Sequence, residues 1–216
     1  MKIVVIGAGL IGTSIALGAK RAGAEVELID EDNRAENLAN DLVNSTKVTD
    51  PSIVVIAAPT SSLEGILSRY KTLYPKSTFI DIGSTKTKVK VQIEKDADLS
   101  KRFIPTHPMA GRELDGAEAA QSDLFVGKSW IITPLAESDG ASIAIVRELI
   151  EKLGARVIAM SAEDHDAAVA AVSHLPQVIS SLLAAQLEGK SPEYLSLAGT
   201  GVLDTTRIAG SNPVRS

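Results

Sequence analysis

Short, mainly apolar runs alternate along the chain with stretches in which apolar residues recur every three or four positions. The runs at 3–6, 26–29, 53–57, 78–82, 103–106, 130–133 and 156–159 have strand length. The run 53–57 is apolar throughout, as a strand covered on both faces requires. Between them, 10–22, 34–42, 61–74 and 85–95 have helical period, and Gly23 is placed to end the first. Ile143, Val146, Ile150 and Leu153 repeat at helical spacing after Ser138 or Asp139 as N-cap, and Gly154 stops them. Strand and helix in alternation predict an α/β domain over 1–160, a doubly wound, mostly parallel, Rossmann-like sheet. From 161 the texture changes. Residues 163–188 form one alanine- and leucine-rich helical pattern broken only by Pro176, and no strand candidate follows. Residues 161–216 therefore read as the beginning of an all-α domain.

The first strand-to-helix turn carries chemistry. "IVVIGAGLIG" sets Gly7, Gly9 and Gly12 in G-x-G-x-x-G spacing. In a dinucleotide fold the first glycine makes the tight turn and the second admits a pyrophosphate to the backbone. The third lets helix and strand pack closely, with the helix N-terminus facing the phosphates. Asp30 ends the second strand run 18 positions past Gly12, near the spacing of a ribose-binding carboxylate. The expected cofactor-binding set is Gly7, Gly9, Leu10, Ile11, Gly12 and Asp30, with Pro59 after the 53–57 strand. Glu31 and Asp32 follow Asp30, so a 2′-phosphate would meet three carboxylates; NAD is expected over NADP, with Arg34 the nearby cation that could reverse this. Only 22 residues separate Asp30 from Ile53. The third strand of the fold, placed near 46–48, must be short, and the adenine-side edge of the sheet trimmed.

Bulk properties narrow the partners. The net charge is −5 over 216 residues, which gives no basic field for nucleic acid or an anionic membrane. There is no cysteine, so disulfides, thiolate catalysis and cysteine-ligated zinc are excluded. The N-terminus makes a poor signal peptide, and no apolar run approaches the ~18 residues of a membrane span. A soluble cytoplasmic protein is expected.

In open parallel sheets, ligands bind beyond the carboxyl ends of the strands. "IAAPTSS", "IDIGSTK" and "IPTHPMAGRE" each follow such a strand. Ser84 lies in the second, as a functional hydroxyl or a plain helix N-cap. His107 lies in the third, before a proline that holds it in extended backbone, as a proton acceptor, a metal ligand or a structural histidine. His165 and His174 are nine residues apart, on opposite sides of a helix, and cannot be a metal pair. Pro176 removes a backbone N–H in "SHLPQ" and should kink its helix. Asp204 precedes Arg207 by three residues, a helical spacing at which a carboxylate can hold the guanidinium or form a plain surface ion pair.

THPMAG-x-E, the HD…SHLP helix and D-x-x-R-I-A-x-S-x-P, following a dinucleotide fold, resemble the prephenate/arogenate dehydrogenases of tyrosine biosynthesis along nearly the whole chain. The resemblance implies an NAD-dependent oxidative decarboxylation of prephenate to 4-hydroxyphenylpyruvate, or of arogenate to tyrosine. It implies that His107 assists deprotonation of the substrate's ring hydroxyl and that Ser84 hydrogen-bonds near it. It further implies that Arg207, supported by Asp204, binds a substrate carboxylate, that His174 lies in the substrate pocket, and that Glu113 borders its entrance. No metal is implied.

Two features depart from the pattern. Family members often carry a second histidine where this chain has Gln177. Further helices also follow the R-I-A-x-S-x-P motif and complete a dimer-forming domain, whereas this sequence stops at "SNPVRS". A truncated or abbreviated helical domain is therefore expected, with activity weak or absent and an apolar helix face prone to association. A regulatory dinucleotide binder, an inactive fragment and another hydroxyacid dehydrogenase are the competing readings. The first two need neither His107 nor Arg207, and THPMAG has no place in the third.

Overall fold

The computed structural model describes residues 1–111 and 115–210. Glu113 lies outside them. The chain divides into two units, Met1–His165 and Asp166–Ser216.

The first unit is built on a five-stranded parallel sheet ordered β2-β1-β3-β4-β5. Its strands are β1 (Lys2–Ile6), β2 (Glu25–Ile29), β3 (Ile53–Ile56), β4 (Thr78–Asp81) and β5 (Phe103–Ile104). The apolar runs have a simple cause. Ile3, Val5, Ile53, Val55, Ile80 and Ile104 enter one core, and Val4, Ile6, Val54, Ile56, Phe79 and Phe103 enter the other. Side chains alternate across a strand, so the strand residues that enter the two cores are apolar in succession, while Lys2, Glu25, Glu27, Thr78 and Asp81 stand outside both. α1 (Leu10–Arg21) and α6 (Gly140–Lys152) pack their buried faces in the first core; α3 (Leu63–Leu73) and α4 (Thr87–Ile93) fill the second. Burying each such side chain contributes roughly 1.5–3 kcal/mol.

Two sequence expectations are corrected here. No strand forms at 46–48. After α2 (Asn33–Val43) the chain makes one ladder-like bond, Thr46 N–H to Val26 O at 2.9 Å, and the Val48 amide turns to the Glu27 carboxylate at 2.8 Å. The side chain of the neighbouring strand thus takes the amide that a sheet edge would have used, and β2 becomes the edge. The expected single strand 103–106 is also two. Pro105 has no N–H to continue a ladder. Beyond a short α5 (Leu99–Arg102), β5 stays in the parallel sheet, while β6 (Thr106–Pro108) opens a second sheet. There it runs antiparallel to β7 (Ser129–Ile132), itself parallel to β8 (Arg156–Ala159).

α7 (Ala162–Val169) spans the division between the units. The second unit continues with a π-helical turn, Ala170–His174, then α8 (Leu175–Leu187), α9 (Pro192–Leu195), α10 (Thr200–Thr206) and a 3-10 turn, Arg207–Gly210. Pro176 cannot donate to the carbonyl four residues back and its ring crowds that carbonyl; the wider π turn just before it is the helix's accommodation. A further correction concerns the whole helix, Ala162–Leu187. By length and composition it is apolar enough to cross a membrane. The polar residues that break its apolar runs, among them Ser173, His174 and Gln177, do not lower its average enough.

Candidate active site

The strand order reverses direction between β1 and β3, so the crevice beyond their carboxyl ends is the expected ligand position. The glycine turn lies there. Gly7 has φ 115°, and a Cβ on it would sit 2.4 Å from the Ala57 carbonyl oxygen; one on Gly12 would sit 2.0 Å from the Gly7 carbonyl oxygen. Both glycines are fixed by the protein's own packing. Gly9 is different: it is exposed, and an added Cβ would meet no protein atom within 4 Å. Gly9 is also the N-cap of α1 and no side chain caps that end. Leu10 and Ile11 open the helix, whose first amides suit an anion. Asp30, half-buried at the end of β2, accepts the Ala8 N–H at 2.6 Å and the Asp32 N–H at 2.8 Å, and its own amide bonds Glu36 at 2.7 Å. Pro59 stands exposed beyond β3. Six of the seven expected cofactor residues thus follow the carboxyl ends of β1 and β2, and the seventh lies three residues past the end of the adjacent β3.

The second cluster centres on Thr106. Its N–H donates to Asp81 Oδ1 at 3.1 Å, and its hydroxyl donates to the Asp81 carbonyl at 2.6 Å. Its own carbonyl accepts Lys86 Nζ at 2.7 Å, and its Oγ1 accepts the Trp130 indole N–H at 3.0 Å. Lys86 is fully buried and pairs with Asp81, which also accepts the Gly83 N–H at 3.0 Å. Ser84 lies on the loop between these two residues. It does not cap the following helix, whose N-cap is Lys86, with no side-chain bond. Both ends of the Ser84 loop therefore hold the residue next to His107.

His107 is half-buried in the middle of β6, opposite Ile131. Its Nδ1 lies 2.9 Å from Nε2 of His165, with ring centroids 5.1 Å apart and planes at 69°. His165 is fully buried on α7. Ser161 starts that helix by accepting the Asp164 N–H at 3.0 Å, and Glu163 binds Lys90 of α4 at 2.8 Å. That hydrogen bond from Lys90 to Glu163 raises the pKa of the Lys90 ammonium.

The remaining expected residues belong to the second unit. His174 is exposed at the end of the π turn, and Arg207, also exposed, begins the 3-10 turn. Gln177 Nε2 donates to the Ile208 carbonyl at 2.8 Å, tying α8 to that turn. Among the described residues no ion pair joins Asp204 to Arg207. α10 ends at Thr206, and Arg207, its C-cap, keeps helical backbone at φ −52°, ψ −43°.

Family models match both parts of the chain. Residues 9–159 match "Prephenate dehydrogenase, nucleotide-binding domain" and residues 161–216 match "Prephenate dehydrogenase, dimerization domain". The chain belongs to the prephenate dehydrogenase family. It is 34% identical over 224 aligned residues to a prephenate dehydrogenase of Lactococcus lactis, covering 96% of this chain and 61% of that protein. The chain thus spans about three fifths of the length of that relative. Among solved structures, the A. aeolicus prephenate dehydrogenase in complex with hydroxyphenyl propionate and NAD+ superposes with a TM-score of 0.89 at 29% identity, covering all of this chain and 80% of that one. A Synechocystis arogenate dehydrogenase superposes at 0.82 and 29% identity, covering 99% and 81%.

Within this family member, sequence reasoning had passed over Asp81, Lys86, Thr106 and Trp130, and had considered His165 only as a metal ligand. One signal was available: a carboxylate ending the apolar run "FID" is costly to bury alone and asks for a partner.

Proposed function

We propose that the chain catalyses the oxidative decarboxylation of prephenate to 4-hydroxyphenylpyruvate in tyrosine biosynthesis, with NAD as hydride acceptor. The observation that carries this reading is His107, an imidazole fixed on one side by the Thr106 network and at Nδ1 by His165. In the proposed division of labour, residues 1–160 bind the dinucleotide and 161–216 supply substrate contacts and a homodimer surface. The protein is proposed to be soluble and cytoplasmic.

When bound, NAD supplies the acceptor for the hydride that leaves the substrate's carbinol carbon. Gly9, Leu10 and Ile11 face its pyrophosphate at a turn shaped by Gly7 and Gly12, Asp30 holds its ribose, and Pro59 lines the crevice. The exposed carboxylates of Glu31 and Asp32 beside Asp30 favour NAD over NADP. His107 takes the proton of the ring hydroxyl as the hydride leaves, the general-base role an imidazole fills most often. Ser84 orients that hydroxyl. Arg207 holds a substrate carboxylate, which in a charge-assisted contact is worth about 1.5–3 kcal/mol. Substrate contacts are likewise assigned to His174, Glu113 and Asp204. As the ring carboxylate leaves as CO2, aromatisation drives the reaction forward.

Arogenate, with an amino in place of the keto group, is the second reading, favoured by the likeness to the Synechocystis enzyme. The test is NADH formation by the purified chain with each substrate and each nicotinamide. Prephenate with NAD is expected to give the highest kcat/KM. NAD binding without turnover in any combination would reduce the protein to a dinucleotide binder.

A further inference from the structure

A neutral imidazole carries one ring proton, and the nitrogen that holds it decides whether the other face can accept. At 2.9 Å, one of His107 Nδ1 and His165 Nε2 must donate to the other. If His165 donates, the His107 proton sits on Nε2, and the ring presents a donor where the proposed reaction needs an acceptor. If His107 donates, its Nε2 is unprotonated and can take the substrate's proton.

Protonation distinguishes the two arrangements further. Once His107 has taken a proton, both of its nitrogens are donors. Its Nδ1–H then faces His165 Nε2, which must be an acceptor. A His165 that donated before the step would leave two N–H groups opposed at 2.9 Å and would have to turn over, yet it is fully buried on a helix capped by Ser161 and tied by Glu163 to Lys90. Only one arrangement survives the proton transfer unchanged. Donors and acceptors set in advance cost no reorganisation at the moment of reaction.

We infer that His165 is a positioning residue that holds His107 in its Nδ1–H form, so that Nε2 receives the substrate's hydroxyl proton. This rests on the function proposed above. The proton passes from the hydroxyl to Nε2 and leaves to solvent between turnovers, while the Nδ1–H···Nε2 bond stays in place throughout.

The chain has three histidines, so 15N labelling of histidine in the whole chain yields three pairs of ring signals. The His107 pair is identified by its loss in His107→Asn. Wild-type protein at a pH where the ring is neutral is expected to show His107 as the Nδ1–H tautomer. His165→Gln, whose amide oxygen can accept, keeps that tautomer. His165→Leu, which cannot, shifts it toward Nε2–H. In the NADH assay the leucine variant loses kcat by about tenfold or more, a part of the roughly 10²–10⁴ that general-base help supplies. KM moves less than kcat, and the glutamine variant recovers most of the rate. A wild-type His107 protonated at Nε2 overturns the inference outright, as does a folded leucine variant with unchanged tautomer and kcat. A locked Nδ1–H tautomer in a wild-type protein that turns over neither substrate leaves the positioning intact and removes the assigned function instead.

Discussion

Thr106 shows how much of a functional position is decided one residue away from it. All of its polar atoms are used inside the fold, and the Lys86–Asp81 pair that holds it is buried. Taking two charges out of water is costly, and removing one partner leaves the other uncompensated, typically a loss of about 3–5 kcal/mol. Lys86→Met is therefore expected to destabilise the protein by an amount in that range in urea unfolding. Asp81→Asn combined with Lys86→Met should unfold later than Lys86→Met alone, because the substituted side-chain amide still offers an oxygen to the Thr106 N–H and carries no charge. A Lys86→Met loss below about 1 kcal/mol would mean that the pair does not anchor β6. His107 itself was legible in the sequence because a proline follows it and fixes its backbone. Lys86 was not: in "GSTK" it reads as a surface residue, and its burial becomes tolerable as Asp81 pairs with it and the Thr106 carbonyl arrives from 20 positions away.

At the scale of elements, periodicity carried most of the fold because both sheet faces are covered. It failed where a side chain or a proline overrode the backbone pattern, as Glu27 does at the missing edge strand and Pro105 does inside one apolar run. The glycine turn is the opposite case, since spacing alone located it, but spacing treats its three glycines alike. The structure separates them. Gly7→Ala would place a Cβ against the Ala57 carbonyl at a φ of 115°, a strain of order 1–3 kcal/mol, so lowered thermal stability is expected before any effect on binding. Gly9→Ala sits at φ −75° in open space, and its stability cost should stay near or below about 1 kcal/mol. Its effect should fall on NAD affinity, weakened about tenfold or more if a pyrophosphate approaches that backbone, since tenfold corresponds to only about 1.4 kcal/mol. Equilibrium dialysis with NAD alongside thermal melts of both variants reads the difference. Gly9→Ala binding NAD as tightly as wild type would move the pyrophosphate away from this turn.

For the molecule as a whole, the open issue is what covers the long helix. Leu175, Val178, Ile179 and Leu182 recur at three- and four-residue spacing along α8 and are each half or more exposed, as are Leu197 and Leu203. An apolar stripe at helical period seeks a partner surface. A membrane and a second copy of the chain are both compatible with the composition of that helix, but the family description of residues 161–216 as a dimerization domain favours the second copy. The sequence led to the expectation of an exposed apolar face on this helix, and the exposure of the four α8 side chains agrees with it. Sedimentation of the purified chain without detergent is therefore expected to show a dimer. Leu182→Glu together with Val178→Glu should shift it toward monomer while leaving the melting of the first unit in place, because both positions lie outside that unit's core. Co-flotation of the wild-type chain with neutral phosphatidylcholine vesicles, abolished by the same double substitution, would instead assign the stripe to lipid. A wild type that stays monomeric at tens of micromolar and does not float, a concentration at which an interface of ordinary size and quality is populated, would mean that neither surface covers α8.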